Sequence, residues 1–414
     1  MISSFIITAL RLLGAVFLTK IVYLYYGSEG LIISGVLVNI VQVMFAIFSC
    51  GMSTSLVTIT AKLNNDEKYK PFSLLILICL AVFTLFLIVS FFFDSLGYER
   101  LNIFGFHTDN IYHITVISFL FSIKMIYFST LNGLRKMRWL ALFTFIDTLT
   151  LPLFICILSS YNISYDYVYL CYLFFVVLSL QILYPCNVLR VCFKDCLDVK
   201  GSMKPYMAMT IISTIITPIT LLIIRNLSER SYGIDVTGAI QGSWRLGDAL
   251  LSAATGILGL YYLPKFSAKS IDQVKLSIMN ILPFLIIFGV FGYGFYFLIS
   301  DYIIKIFLGL DFLEYSILFN VHILAVSLRI ISYYLGLFMV SHGLSRFFIF
   351  HEIIVNATYI VLVLFVTTLS LSYIYVPLSF LSVSFLSLLI TLYFFIKASD
   401  GKGKTGIFNS NTAI

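Results

Sequence analysis

Long apolar segments alternate with short polar ones along the whole chain, and this alternation predicts its architecture. A helix that crosses a bilayer needs ~20 predominantly apolar residues, and segments of about that length recur twelve times between turn-forming or charged residues. The pattern therefore predicts an all-α polytopic membrane protein with short connections. We place the twelve spans at residues 5–26, 30–52, 72–93, 111–132, 140–160, 165–189, 207–229, 236–263, 276–299, 315–340, 346–370 and 373–397.

The composition excludes the soluble fold classes. Of the 414 residues, 60% are hydrophobic and 11% are charged, and the mean hydropathy is +1.03. A soluble domain carries about 25% charged residues. The seven cysteines show neither disulfide nor metal-ligand spacing, so we expect reduced thiols and no metal site.

Basic residues are distributed unequally between the loops on the two sides of the predicted bundle. One side holds seventeen Lys and Arg residues, counting the polar tail, and the other side holds three. Because loops rich in Lys and Arg stay in the cytoplasm, this bias predicts that both termini are cytoplasmic. It also accounts for most of the net charge of +7, so no nucleic-acid partner is needed.

Apart from charges at the first or last two positions of a span, nine Lys, Arg, Asp and Glu residues remain inside the predicted spans. Each costs ~2.5–3.5 kcal/mol near the bilayer centre unless it faces protein or water, so we expect these side chains to point into the bundle. The six bases are Arg11, Lys20, Lys124, Arg225, Arg245 and Arg329, and the three acids are Asp147, Asp248 and Glu352.

Three pairs of these buried charges recur at one offset, with the sign kept. The pairs, each 205 residues apart, are Lys20 with Arg225, Lys124 with Arg329, and Asp147 with Glu352. Six spans separate the mates, so helix order and orientation are the same in both halves. We interpret this as a parallel repeat of two six-helix lobes, related by a pseudo-two-fold axis along the membrane normal; the alternative is a chance match among nine charges.

The repeat predicts the domain organisation. The N-terminal lobe spans residues 1–189, a cytoplasmic linker spans 190–206, the C-terminal lobe spans 207–397, and a flexible cytoplasmic tail spans 398–414. Pro218 lies in the middle of the seventh span, where a proline removes a helix hydrogen bond and bends the helix. We interpret it as a candidate hinge, with a packing bend as the alternative.

Transporters built from such repeats bind their substrate between the two halves. We expect a cavity with more bases than acids there, which suits an anionic, phosphate-bearing solute. The residues that we expect to bind this solute are Lys20, Lys124, Arg225, Arg245 and Arg329.

The three buried acids have a different expected role. Asp147, Asp248 and Glu352 would gate the site, hold the cations in place when it is empty, or bind a coupling proton or sodium ion; no other cofactor is expected. Simpler interpretations stay open. Arg245 and Asp248 stand at i and i+3 on one helix face and can pair, and Arg11 and Lys20 can extend their ends to the interface.

An ordered series of segments carries a family resemblance. The clearest is VTGAIQGSWRLGDALLSAATGILGLYYLPKFS, with Gln241-Gly242, Asp248 and Leu263-Pro264, and others are ILPFLIIFGVFGYGFYFLISDYIIKIFLG, LGLFMVSHGLSRFFIFHEI, LLGAVFLTKIVYLYYGSEGLIISG and LNGLRKMRWL. These segments resemble the Wzx polysaccharide-unit flippases of the MATE-like MOP superfamily, nearest the branch of the enterobacterial common antigen flippase.

This resemblance implies two MATE-like lobes, a cationic lumen and alternating access. The implied substrate is an oligosaccharide on undecaprenyl diphosphate, such as an O-antigen repeat unit for lipopolysaccharide, moved from the cytoplasmic to the periplasmic leaflet of the bacterial inner membrane. Polymerase and chain-length proteins of the same pathway are the implied protein partners. The sugar, the coupling ion and the oligomeric state stay open.

Two other functions are weighed against this one. A membrane-embedded polysaccharide polymerase or glycosyltransferase needs sizeable extramembrane loops with catalytic groups, whereas the longest predicted outer loop is residues 94–110. A MATE-like exporter of small cationic solutes would keep the fold, but a net positive lumen opposes it.

Overall fold

The computed structural model describes residues 2–51, 56–57, 60, 70–95, 102–103, 106–107, 111–161, 163–184, 204–267 and 269–399. Almost all of them are helical, which confirms the all-α prediction. The helices are α1 (Ile2–Phe48), α2 (Lys70–Ser95), α3 (Ile111–Gly133), α4 (Met137–Leu158), α5 (Tyr165–Leu183), α6 (Lys204–Ser267), α7 (Ile271–Phe307), α8 (Ser316–Ser341), α9 (Ser345–Thr368) and α10 (Tyr375–Ser399). Two 3₁₀ turns, Ser159–Tyr161 and Leu310–Tyr315, and a small antiparallel hairpin of β1 (Asn102–Ile103) and β2 (Phe106–His107) complete the described elements.

Two of the helices are long enough for two spans each and are interrupted at a glycine. The chain takes non-helical torsions at Gly27 in α1 (φ 64°) and at Gly233 in α6 (φ 85°). Glycine adopts positive φ without the steric cost that a Cβ brings. The described chain contains ten helices that are apolar and long enough to cross a bilayer. With these two breaks they account for the twelve predicted spans.

The structure changes one detail of the predicted topology. Residues 300–314, expected as an outer loop, are helical up to Phe307, because apolar residues such as the fully buried Ile304 continue the pattern of α7. The break at Gly233 falls between the predicted spans 207–229 and 236–263, and Pro218, inside the first of these spans, keeps helical torsions. A hinge at Pro218 therefore stays a prediction.

The turn between α3 and α4 has the same backbone geometry as the turn between α8 and α9. Arg135 and Gly343 take φ of 55° and 66°, and the residues that follow them, Lys136 and Leu344, have φ/ψ of −82°/61° and −76°/60°. The backbone hydrogen bonds around the two turns also match one for one at an offset of 208 residues. The two lobes thus repeat at the level of single turns.

The two turns use different residues at the position with positive φ, since Arg135 of the first lobe stands opposite Gly343 of the second. The equivalence is one of backbone conformation, and glycine occupies the strained position in the second lobe alone.

A tyrosine beside each kink glycine repeats as well. The Tyr26 hydroxyl donates to the carbonyl of Ile163 at 3.0 Å, and the Tyr232 hydroxyl donates to the carbonyl of Leu371 at 2.9 Å. In each lobe the acceptor lies just before the last described helix, α5 or α10. Each kink is therefore fastened to its own lobe by the same type of contact.

Helix α6 lies at the centre of the packing. It packs against α1 of the N-terminal lobe and against α8 and α9 of the C-terminal lobe. The predicted linker at 190–206 lies outside the described residues up to 203, as do residues 400–414 of the tail. The described cysteines, which are Cys50, Cys79, Cys156 and Cys171, are free.

The kink glycines give a direct test of the two breaks. Gly27→Ala and Gly233→Ala should each destabilise the protein by ~1–2 kcal/mol, because a Cβ at positive φ is strained although no atom lies within 4 Å of it. The measurement is the midpoint of thermal unfolding in detergent. Gly292→Ala is the matched control, since Gly292 has open space and no positive φ; it should be neutral or stabilising. Equal effects at all three positions would contradict the breaks.

Candidate functional site

A polar junction joins α1 to α6 between the two lobes. The Nε and Nη2 atoms of Arg225 donate to Gln241 Oε1 at 3.0 and 2.5 Å, and the guanidinium lies 5.5 Å from the Trp244 ring centroid. A Cβ at Gly35 of α1 would stand 2.5 Å from Gln241 Oε1. A glycine at this position therefore lets the backbone of α1 approach the arginine and its acceptor.

A second arginine lies in the same junction. Arg245 Nη2 donates to the hydroxyl of Ser34 in α1 at 3.1 Å. Arg225 is 2% exposed, and its Nη1 has no hydrogen-bond partner among the described residues. Among the described residues, no carboxylate lies within ion-pair distance of the guanidinium group of Arg225 or Arg245. The charges of Glu229 and Asp248 act on Arg225 and Arg245 from beyond that distance, so neutral oxygens make the direct contacts of these two guanidinium groups.

The second half of α6 has two exposed faces of opposite character. Asp248 and Ser252 are exposed on the face that continues from Gln241 and Arg245. Ile257, nine residues after Asp248 and therefore about 180° around the helix, is 50% exposed. An apolar face suits lipid, and an exposed carboxylate in the same helix needs water. We conclude that Asp248 and Ser252 line a wet interior space.

The two lobes meet at the end of the bundle that holds Gly27 and Gly233, which we call the kink end. A Cβ at Gly238 would lie 2.8 Å from Ser28 Cβ, and the Tyr23 hydroxyl donates to Asp311 Oδ2 at 2.7 Å. Both contacts join one lobe to the other. The exposed polar face of α6 lies further along the helix, away from this closed end.

The N-terminal lobe holds a buried ion pair, which we call the N-lobe cluster. Lys124 Nζ lies 3.1 Å from Asp147 Oδ1 and 2.9 Å from the Tyr172 hydroxyl, which donates in turn to Asp147. Lys124 is 5% exposed. The charges of Arg11 and Asp147 also interact. This lobe therefore carries its own compensation for Lys124.

The C-terminal lobe holds a comparable set, which we call the C-lobe cluster. Arg329 Nη1 donates to Ser387 Oγ at 3.3 Å, and His351 Nε2 lies 2.8 Å from the same oxygen. His351 Nδ1 lies 3.4 Å from Glu352 Oε1. Glu352 also interacts with the charge of Arg329. In both lobes three successive helices supply a base, an acid and a hydroxyl.

Lys124 and Arg329 occupy similar but not identical depths. Each stands thirteen residues after the first residue of its helix, Ile111 in α3 and Ser316 in α8. Counted from the matched turns at Arg135 and Gly343, which differ by 208 residues rather than 205, Arg329 lies three residues further from its turn than Lys124, or ~4.5 Å along the axis. Neither side chain is exposed on the outer surface, since Lys124 is buried and Arg329 is half-buried.

Lys20 does not join this arrangement. It shares its helix face with Leu13, Phe17 and Leu24, which are 50–65% exposed, and the described residues give it no polar partner. Spacings of three or four residues place these side chains along one side of a helix. The expectation that Lys20 binds substrate is therefore corrected: it lies on the outer apolar face and can extend to the nearby interface.

Arg11 shows the opposite outcome. It stands nine residues before Lys20 and so points to the other side of α1. A Cβ at the neighbouring Gly14 would meet Thr148, next to Asp147. Arg11 therefore points toward the N-lobe cluster instead of the outer surface.

Several site residues have no signal in the hydropathy pattern. Tyr172 and Ser387 are uncharged and 215 residues apart, so the repeat of charges at 205 does not reveal them. Ser34 and Gly35 look like ordinary small residues of an apolar span. Their roles come from the helices that pack against them. The described residues contain no group of three His, Cys, Asp or Glu side chains that could hold a metal ion.

Comparison with known proteins identifies the fold. No protein-family model matches the chain, and no curated protein matches it by sequence. An inward-facing multidrug-resistance MATE transporter of the MOP superfamily is 11% identical, with a TM-score of 0.68 over 95% of this chain and 96% of that one. A MOP superfamily transporter from Pyrococcus furiosus, whose binding pocket is described as reversed in polarity, is 11% identical, with a TM-score of 0.63 over 95% and 94%.

A lipid flippase has the same architecture. The lipid II flippase MurJ in its inward closed conformation is 18% identical, with a TM-score of 0.63 over 96% of this chain and 87% of that one. These identities establish the fold and leave the function to be argued. The chain is a multi-pass membrane protein with a MATE-like fold of two helical lobes. The narrower resemblance to the Wzx branch stays a prediction.

The two exposed faces of α6 can be distinguished by thiol labelling. In a variant without native cysteines, Ser252→Cys should react with a small water-soluble thiosulfonate, because a thiol next to water ionises and a thiol in hydrocarbon does not. Ile257→Cys is the matched control and should react at least ~10-fold more slowly. The measurement is the labelling rate in membranes. Similar rates at the two positions would contradict a wet interior.

Proposed function

We propose that the chain is a flippase for a lipid-linked oligosaccharide. It moves an undecaprenyl-diphosphate-linked unit, of the O-antigen repeat type, from the cytoplasmic to the periplasmic leaflet of the bacterial inner membrane. Both termini lie in the cytoplasm, on the side that the positive-inside bias assigns to them. The protein acts as a transporter and catalyses no covalent step.

The observation that carries this proposal is the pair of incompletely compensated arginines between the lobes. Arg225 and Arg245 are held by Gln241 and Ser34, which are neutral. A guanidinium binds phosphate oxygens through paired N–H donors. An anion at the junction would complete the partners of both side chains, as a diphosphate can.

The charge balance of the interior agrees with such an anion. Five bases point inward, Arg11, Lys124, Arg225, Arg245 and Arg329, against the three acids Asp147, Asp248 and Glu352. The excess of two positive charges matches a diphosphate diester, which carries about two negative charges at neutral pH. The same excess repels a small cationic solute, so it disfavours a cation exporter.

Alternating access supplies the route. The lobes touch at the kink end, and the polar face of α6 is exposed beyond it. On the predicted orientation, the kink end is periplasmic and the wet space opens toward the cytoplasm. The head group enters there, contacts the arginines, and leaves when the kink end separates, while the polyprenyl tail stays in lipid.

The lipid flippase neighbour supports a lipid substrate without defining its sugar. MurJ is named as a flippase of lipid II, and its fold matches nearly the whole of this chain. The polymerase and chain-length proteins of a polysaccharide pathway remain proposed partners. Which sugar the chain accepts, and whether an ion drives it, are decided by experiment.

The charge roles are tested in proteoliposomes that contain a fluorescent undecaprenyl-diphosphate oligosaccharide. Lys124→Ala and Arg329→Ala should each lower the flipping rate about tenfold or more, because a hydrogen bond to a charged group is worth ~1.5–3 kcal/mol. Lys20→Ala is the matched control and should stay within about twofold of the parent. The measurement is protection of the sugar from an external glycosidase. Full activity in both of the first two variants would defeat the proposal.

The same assay discriminates the alternatives. A polymerase would convert single units into longer glycans, which gel analysis of the recovered lipid would show. An exporter of small solutes would leave the lipid untouched and instead release a preloaded cationic dye. Either result, with no protected sugar, would replace the flippase proposal.

Closure at the kink end gives a second test. Ser28→Cys with Gly238→Cys should form a disulfide on mild oxidation, because their Cβ atoms need only a small shift to reach the ~3.5–4.5 Å of a cystine. Flipping should then stop and should return after reduction. Each single variant is a control for the effect of oxidation. Wild-type flipping in the cross-linked protein would show that the lobes need not separate there.

A further inference from the structure

The N-lobe and C-lobe clusters differ in whether they contain a side chain that can bind an additional proton. In the N-lobe cluster the ammonium of Lys124 has three hydrogens, and its contacts are both oxygens of Asp147 and the Tyr172 hydroxyl. The C-lobe cluster contains an imidazole, His351, between an acid and a hydroxyl. Imidazole is the side chain that gains and loses a proton near neutral pH.

The position of His351 favours a hydrogen on one side of its ring. The residue is 6% exposed. Its Nδ1 faces Glu352 Oε1 at 3.4 Å and has no regular hydrogen bond among the described residues. Because a bare nitrogen lone pair and a carboxylate repel each other, the tautomer with its hydrogen on Nδ1 is favoured. The second nitrogen, Nε2, is then the one that binds or releases a hydrogen.

The hydroxyls of Ser387 and Ser332 can form hydrogen bonds whether His351 is neutral or protonated. Ser387 Oγ receives a hydrogen bond from Arg329 and lies 2.7 Å from Ser332 Oγ and 2.8 Å from His351 Nε2. A serine hydroxyl has one hydrogen and two acceptor sites. When His351 is neutral, Ser387 donates to it and accepts from Ser332. When His351 is protonated, it donates to Ser387, which turns its own hydrogen to Ser332. Neither state leaves one of these groups without a partner.

The charges that face His351 come from two helices. Arg329 of α8 and Glu352 of α9 interact with each other and balance in charge. Helix α10 presents the hydroxyl of Ser387 to the ring. A proton on His351 therefore changes the C-lobe cluster from neutral to a charge of plus one.

Helix α6 also packs against α9. Its charged groups Arg245 and Asp248 interact with one another, whereas the charged partners of Glu352 are His351 and Arg329. The phenol of Tyr359 also lies near Arg329, and a phenol is uncharged near neutral pH.

We propose that His351, with Glu352 and Ser387, is a proton-binding site whose occupancy strengthens anion binding at Arg329. This inference rests on the proposed function for the identity of the anion. The added positive charge attracts an anion, so anion affinity is high while His351 holds its second proton and falls when that proton is lost. By linkage, the anion raises the proton affinity of the site by the same factor.

The binding test uses a short-chain prenyl diphospho-N-acetylglucosamine, a diester that does not itself titrate near neutral pH. Its affinity for the purified full-length protein should be about fivefold to tenfold higher at pH 5.5 than at pH 8. His351→Gln and His351→Asn should remove this dependence. His342→Gln, at the end of α8, is the matched control and should keep it. An unchanged pH dependence in both His351 variants would overturn the proposal.

A second measurement follows the proton on His351 directly and does not depend on binding of the probe. In protein labelled with ¹⁵N-histidine, the ring signal that disappears in His351→Gln should shift between about pH 5 and 8. A signal that stays constant across this range would overturn the proton site even if the probe binds. If the probe fails to bind the parent protein at every pH, the proposed substrate is wrong, and the histidine signal still decides the proton site.

Discussion

The structure depends on one constraint, that an ionised side chain inside a bilayer must be turned toward protein or water. Helix α6 carries Arg225, Arg245 and Asp248, and it contacts α1 of the other lobe as well as α8 and α9 of its own lobe. Its outer face meets lipid with residues such as Ile257, and its inner face meets α1 or an interior space. The other helices surround this one and give its charges a permitted environment.

The interior charges are compensated to different extents, and that difference organises the function. Lys124 has Asp147, and Arg329 has Glu352 with His351 beside it. The two arginines at the junction have amide and hydroxyl oxygens. Compensated charges inside each lobe keep that lobe stable when empty, since a buried unpaired ion is strongly destabilising. The two guanidinium groups at the junction lie where α6 packs against α1 of the other lobe.

The chain shares its fold with MATE-like structures although only 11–18% of the residues are identical. The two lobes of this chain likewise share backbone conformation rather than residue identity. The turn at Arg135 has the backbone conformation of the turn at Gly343. The hydrogen bond from Tyr26 to Ile163 likewise corresponds to the one from Tyr232 to Leu371. Fold-level similarity therefore shows the fold alone, and the site follows from this chain's own side chains.

The sequence by itself determined the number of spans and the repeat of the two lobes, because hydropathy can be read from the order of residues along the chain. Only the tertiary structure decided which way each charge points and what it meets. Lys20 and Arg11 look alike in a hydropathy plot, yet they lie on opposite sides of α1. Tyr172, Ser387 and Gly35 gained their roles from helices distant in the chain. Contacts between helices depend on rotation about each axis, and packing sets that rotation.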